Sequence, residues 1–157
     1  MTDTLHVLLE AGAAPRGANY APTALDAHLD RYTELVITLN VLSAERDSAN
    51  ETYDIYVITG DGQNEWDIVH FPQVATTGAK QFTARLVSQG LLPQTVTGAT
   101  PGVGAIDPGI LTSTNAPKTL GAGLVRHGPW GNTIRYELVV AGTIATGIQF
   151  TLSVQGR

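Results

Sequence analysis

Thr33-Glu34-Leu35-Val36-Ile37-Thr38-Leu39-Asn40-Val41-Leu42-Ser43-Ala44 is the stretch on which the fold turns. Leu35, Ile37, Leu39 and Val41 alternate with Val36, Thr38, Asn40 and Leu42. Successive side chains of a strand point to opposite faces, so this reads as a long strand with one very apolar face. Thr52–Thr59 repeats the period of two, with Tyr53, Ile55 and Val57 set against Asp54, Tyr56 and Ile58. Gly60-Asp61-Gly62 follows, and Asp-Gly between alternating apolar runs is a turn signal. Trp66–Phe71 and Gln81–Val87 read as third and fourth strands. Asn132–Ala141 and Gly147–Gln155 close the chain, joined by a loop with two glycines suited to a hairpin. His6–Leu9 reads as a short strand and Ala24–Leu29 as another. A helix over Leu25–Leu35 is the minority alternative, because Asp26 and His28 interrupt its apolar spacing. Many short strands with regular turns indicate an all-β sandwich or barrel.

The 157 residues fit one domain. A chain of that size buries about 68–70% of its unfolded surface, enough for a core without staples. With no Cys there is no disulfide framework, thiolate nucleophile or Cys-based zinc site. Only 15% of residues are charged, and net charge is −5. Disordered chains combine low hydrophobicity with high net charge, so this one is expected to fold. An acidic chain without clustered Lys and Arg is expected to bind neither nucleic acid nor an anionic membrane. No basic stretch precedes an apolar one at the N-terminus, and no apolar run approaches a membrane span. The expectation is a soluble protein that folds in a cytoplasm.

Two segments exceed a minimal sandwich. Ala11–Pro22, rich in Ala and Gly with two prolines, reads as an extended arm, so residues 1–22 form an N-terminal strand and arm and 23–157 the sandwich. Residues 88–123 form a long Gly/Pro-rich insertion. Between Ser88 and Pro117 its only ionisable side chain is Asp107. Leu91, Leu92, Val96, Val103, Ile106, Ile110 and Leu111 are spread through it. A disordered linker is more polar than this. Such a loop lies either on its own domain or on another chain, and these residues are the candidate partner contacts. Trp130, in the turn-like His127-Gly128-Pro129-Trp130-Gly131, joins them as an interface anchor or as a plug for the end of the sandwich.

Catalytic motifs are not found. Gly121-Ala122-Gly123 lacks the third glycine of a phosphate loop, since Arg126 occupies its position, and Gly102-Val103-Gly104 fails at Asp107. No serine sits in a Gly-x-Ser-x-Gly elbow. Asp26, His28 and Asp30 would share one face of a strand and could meet a metal, but a solvated polar face is the preferred reading. Asp61, Gln63, Glu65 and Asp67 resemble a calcium loop without its closing Glu, and a polar hairpin tip is preferred. Asn50-Glu51-Thr52 is formally a glycosylation sequon. No catalytic residue, cofactor or metal is assigned, and no enzyme activity is expected.

The long apolar strand Thr33–Val41, the alternating strand Tyr53–Thr59, the Asp61-Gly62 turn with Trp66-Asp67-Ile68-Val69-His70-Phe71, the Gln73-Val74 and Gly78 that follow, and the closing strands Ile134–Gly142 and Phe150–Val154 together form a pattern. It resembles the capsid decoration (cement) proteins of tailed bacteriophages, virion proteins with β-sandwich or jelly-roll folds, over roughly residues 24–87 and 132–154. The resemblance implies a structural protein that binds the outside of a phage head, often as a homotrimer, and bridges neighbouring capsomers. It also implies the major capsid protein as partner, location on the virion exterior after assembly in the host cytoplasm, and no enzyme activity. The arm and the 88–123 insertion depart from the shorter pattern. The alternatives are another phage structural protein, at the head–tail joint or in the tail, and a carbohydrate-binding sandwich using Trp130 and Tyr136 as a stacking platform. An enzyme working from the Asp26–His28–Asp30 face is the weakest reading.

Overall fold

The computed structural model describes residues 4–87, 99–100, 104–107, 118 and 120–157. Its strands are β1 (Leu5–Glu10), β2 (Leu25–Asp26), β3 (Glu34–Ala44), β4 (Thr52–Gly60), β5 (Glu65–His70), β6 (Lys80–Val87), β7 (Ala99–Thr100), β8 (Gly104–Asp107), β9 (Leu124–Arg126), β10 (Thr133–Ala141) and β11 (Ile148–Gly156). They form two sheets that pack face to face, in the orders β1-β11-β3-β6 and β2-β10-β4-β5-β9-β8-β7. First pairs with last, second with second-to-last, β3 with β6 and β4 with β5, so the chain is a long hairpin rolled over itself. Eight strands in two four-stranded halves ordered this way make a jelly roll, with β9, β8 and β7 added beyond β5. The expected all-β sandwich is observed.

Alternation builds the core as the sequence implies. Leu35, Ile37 and Leu39 of β3 and Leu152 and Val154 of β11 turn inward and are wholly buried. Opposite them lie Tyr53, Ile55 and Val57 of β4 and Ile134, Tyr136 and Leu138 of β10, all in one continuous cluster. Tyr136 meets Phe150 edge-on across the two sheets, with centroids 5.6 Å apart. Each such side chain contributes roughly 1.5–3 kcal/mol by leaving water.

Three β-bulges break the ladders: one, between Gln149 and Phe150, lies in the β11–β3 pair, and the other two change the face on which later side chains stand. The register of β5 against β4 shifts between Val57 and Ile58, so Ile68 is the extra residue. The other shift lies between Leu8 and Glu10, so Leu9 is extra. A bulge moves later side chains to the other face, and these two matter below.

The expected strand over Ala24–Leu29 is shorter than foreseen. It ends at Asp26, and a single 3-10 turn, Leu29–Arg31, follows. His28 lies between them in the left-handed region at φ 47°. Asp26, His28 and Asp30 therefore do not share a strand face, and the premise of a metal site there fails. Three short strands, β7, β8 and β9, were not foreseen.

The arm is extended, but it docks on its own domain. Arg16 pairs with Ile148 of one sheet and Tyr20 with Leu138 of the other. Asn19 accepts from the Val140 amide, and Gln149 donates to the Gly12 carbonyl. The arm so carries the chain round the jelly-roll corner from β1 to β2. At Gly147 (φ 108°) an added Cβ would stand 2.1 Å from the Arg16 carbonyl oxygen, so only glycine admits the arm there.

Candidate functional site

The outer face of the larger sheet carries the buried polar residues Asp67, His70 and Arg126. Asp54 and Tyr56 alternate with the core residues of β4 and so point outward. Tyr56 stands opposite His70, and their rings stack with centroids 3.9 Å apart. Strict alternation would put Asp67 and His70 on opposite faces. The bulge at Ile68 puts both on the outer one.

His70 is 5% exposed. Its Nε2 lies 2.8 Å from Asp54 Oδ1 and its Nδ1 2.8 Å from the Leu120 carbonyl oxygen. Gln73 donates to the other oxygen of Asp54. Asp67, wholly buried, accepts from the Leu120 amide at 2.6 Å. Arg126 donates to the Asp67 carbonyl at 3.0 Å and pairs with its carboxylate at 3.4 Å. Both backbone groups of Leu120 are thus held by the sheet. Lys118 pairs with Glu137 on the same face. Ile58 is fully buried yet stands apart from the central core cluster, as does Leu120.

Further along this face, Arg135 donates to both oxygens of Glu65, at 2.9 and 2.7 Å, and also to Glu137. The hydrogen bond from Arg135 holds Glu65 below the usual carboxylate range, against the effect of burial. Burial, reinforced by the carboxylates of Asp54, Asp67 and Glu137, pushes the Tyr56 phenol up. These groups are occupied with one another. The His–Asp contact closes a backbone carbonyl into the network, and both ring nitrogens of His70 are engaged in it. The arrangement is a pin that fastens the end of the 88–123 insertion to its own sheet.

The remaining candidates disperse. Leu91, Leu92, Val96, Val103, Ile110 and Leu111 lie outside the described residues. The backbone of Ile106 is in β8, paired in parallel with Val125 of the same chain. Trp130 is 7% exposed and belongs to the core cluster, as does Tyr136 at 1%. Neither ring lies on the surface as a sugar-stacking platform. Trp130 caps the end of the sandwich, where Trp66 donates to the Pro129 carbonyl and the Gly131 amide donates to Thr59. Asp61 serves its own turn, accepting from the amides of Gln63 and Asn64, while Glu65 and Asp67 are engaged elsewhere, so no calcium loop forms there. Among the described residues no cluster of three or more His, Asp or Glu is arranged to hold a metal.

A second buried network anchors the arm. The bulge at Leu9 lets the Glu10 carboxylate accept from the Tyr136 hydroxyl, the Gly12 amide (3.0 Å) and Arg16 (2.9 Å). Arg16 in turn lies 3.6 Å over the Tyr20 ring. Burial pushes Glu10 upward, but the hydrogen bonds from Tyr136, Gly12 and Arg16 outweigh it and hold the carboxyl below its ordinary value.

Sequence reasoning passed over His70, Asp67, Arg126 and Glu10 as pinning residues. A signal was present: in a chain this poor in charge, ionisable residues inside or beside apolar strands need partners, because such groups are almost never fully buried unpaired. Comparison with known proteins adds no relative: no family model, no curated protein and no solved structure matches the chain.

Proposed function

We propose that the chain is a structural virion protein, a decoration protein that binds the outside of a tailed-phage head and bridges neighbouring capsomers as a homo-oligomer. The observation that carries this reading is the strand order. Two four-stranded sheets in jelly-roll order are the architecture of viral capsid domains, with lectins and cupins as the other common users. The argument is one of fold analogy, and it is joined by the resemblance of the strand pattern.

Surface chemistry favours the capsid among these users. The outward face of the smaller sheet presents the uncharged Thr38, Asn40, Gln81, Thr83, Thr151 and Ser153 beside exposed Leu8 and Leu42, with the Glu34–Arg85 ion pair at one end. A broad face whose one charged pair is mutually compensated suits contact with another protein surface. Many copies on one shell supply avidity even from weak single contacts. The core behind that face is filled with apolar side chains, unlike the ligand-holding interior of a cupin. The burial of Trp130 and Tyr136 removes the aromatic pair on which the carbohydrate alternative rested.

The test is co-sedimentation of the purified chain with phage heads assembled without it, from the phage that encodes the chain. Saturable binding to the head exterior is expected. Failure to bind both expanded and unexpanded heads would overturn the proposal.

A further inference from the structure

Among the described residues no strand pairs with the outer side of β1, the end strand of the smaller sheet. Glu34 and Arg157 exchange both backbone hydrogen bonds, N to O in each direction. By the alternation of an antiparallel ladder, Val36, Thr38 and Asn40 bond their β11 partners in the same way. Gly156, Val154 and Leu152 therefore turn their backbone groups toward β1. Leu5 and Val7 stand opposite Gly156 and Val154 and take those bonds. His6 and Leu8 are left with their N–H and C=O groups directed out of the sheet, and among the described residues none bonds to them.

Edges of this kind are commonly blunted by Lys, Pro or brevity. The outermost strand at one side of the larger sheet, β2, has only two residues. The opposite edge of the smaller sheet, β6, carries Lys80 and Arg85, and the Val87 amide at its end donates to His127. Between Leu5 and Leu9, β1 has neither Lys nor Pro, and Leu8 is 54% exposed. The side chains of Leu5, Val7 and Leu9 reach the core only partly covered.

We infer that β1 is a self-association edge whose occupant is β1 of a second copy. An antiparallel pair centred on Val7 sets His6 opposite Leu8 of the other copy, twice. Those are the residues with free backbone groups, and each such pair exchanges two N–H···O bonds. In the same register Leu5 meets Leu9 and Val7 meets Val7, so the half-covered apolar side chains extend one another. The bulge after Leu8 bounds the pairing. The sequence Leu5-His6-Val7-Leu8-Leu9 is thus self-complementary in backbone and side chain alike, and the result is one continuous eight-stranded sheet across a two-fold axis. The inference does not depend on the capsid reading.

The experiment is analytical ultracentrifugation of the full chain over a concentration series, with His6→Pro and Leu8→Lys beside it. Proline at position 6 removes an outward N–H and leaves the β1–β11 ladder intact. The wild type should sediment at twice the 16.6 kDa chain mass, or at an even multiple, and both variants at lower order with unchanged circular dichroism. Amide exchange guards against a misfolded variant: in the wild type, protection at His6 and Leu8 should rise with concentration while that at Leu5 and Val7 stays constant. A monomeric or trimeric wild type, a dimer indifferent to both substitutions, or concentration-independent exchange at His6 and Leu8 would overturn it.

Discussion

Replacing Glu10 by Ala tests whether the arm is an integral corner of the fold. The carboxylate accepts from three donors, and they are not equal. The Tyr136 hydroxyl lies in a side chain 1% exposed, so water does not replace its acceptor. A buried donor left unsatisfied costs about 1–3 kcal/mol. The Gly12 amide is partly buried and adds roughly 0.5–1.5 kcal/mol. The Arg16 side chain is 30% exposed and rehydrates, so its ion pair adds about 0–1 kcal/mol. The expected loss is about 3 kcal/mol, or roughly 6–12 °C in Tm for a domain of this size. The assay is denaturant and thermal unfolding of wild type, Glu10→Ala, Tyr136→Phe and the double variant. With the phenol hydroxyl gone, Glu10→Ala should cost about 1–2 kcal/mol less than in wild type, because no buried donor is then orphaned. A pH dependence follows. Glu10 is held below its ordinary pKa in the folded state, so its contribution is complete above the ordinary carboxylate range and fades as pH falls through the folded value. The acid limb of the stability curve should be shallower in Glu10→Ala. A total loss under about 1 kcal/mol, or strict additivity with Tyr136→Phe, would refute this account of the arm.

The remaining expectations concern the pin, the end cap and a buried histidine. Asp67→Ala breaks a buried charge pair, so it should cost about 3–5 kcal/mol and speed amide exchange at Leu120; a loss near zero would contradict the pin. In Trp66→Phe, which leaves Trp130 as the single tryptophan, emission should be blue-shifted and poorly quenched by acrylamide; ready quenching would place the ring outside the core. His127 is pushed below the ordinary imidazole value by burial. The unfolded state then binds more protons as pH falls from about 7 to 5, so wild-type stability should drop across that window, more steeply than in His127→Gln; equal slopes would contradict it.

The strands that carry the core were legible because their period of two is strong and uninterrupted. Leu35 to Val41, Tyr53 to Val57 and Ile148 to Val154 each bury alternate residues as their spacing implies. What escaped reading sits where the period breaks. A bulge gives no local signal in a run such as Trp66-Asp67-Ile68-Val69-His70, where apolar residues stand on both sides of the slip, so the shared face of Asp67 and His70 stayed hidden. The same holds for Glu10 after Leu9. Strand β9 is three residues between a glycine turn and a capping segment, too short for periodicity to register. The arm was legible as extended, but its docking was not, because Ala, Gly and Pro carry little pattern. Its docking depends on Ile148 and Leu138, distant in sequence, and on a close approach that only Gly147 permits.

The most direct test of the capsid proposal is the copy number of this chain in purified phage particles produced by a genome that carries its gene, by quantitative mass spectrometry against the major capsid protein. The account predicts a stoichiometry that scales with the capsomers. Absence from the particles, or a count matching a single ring at the head–tail joint, would contradict it.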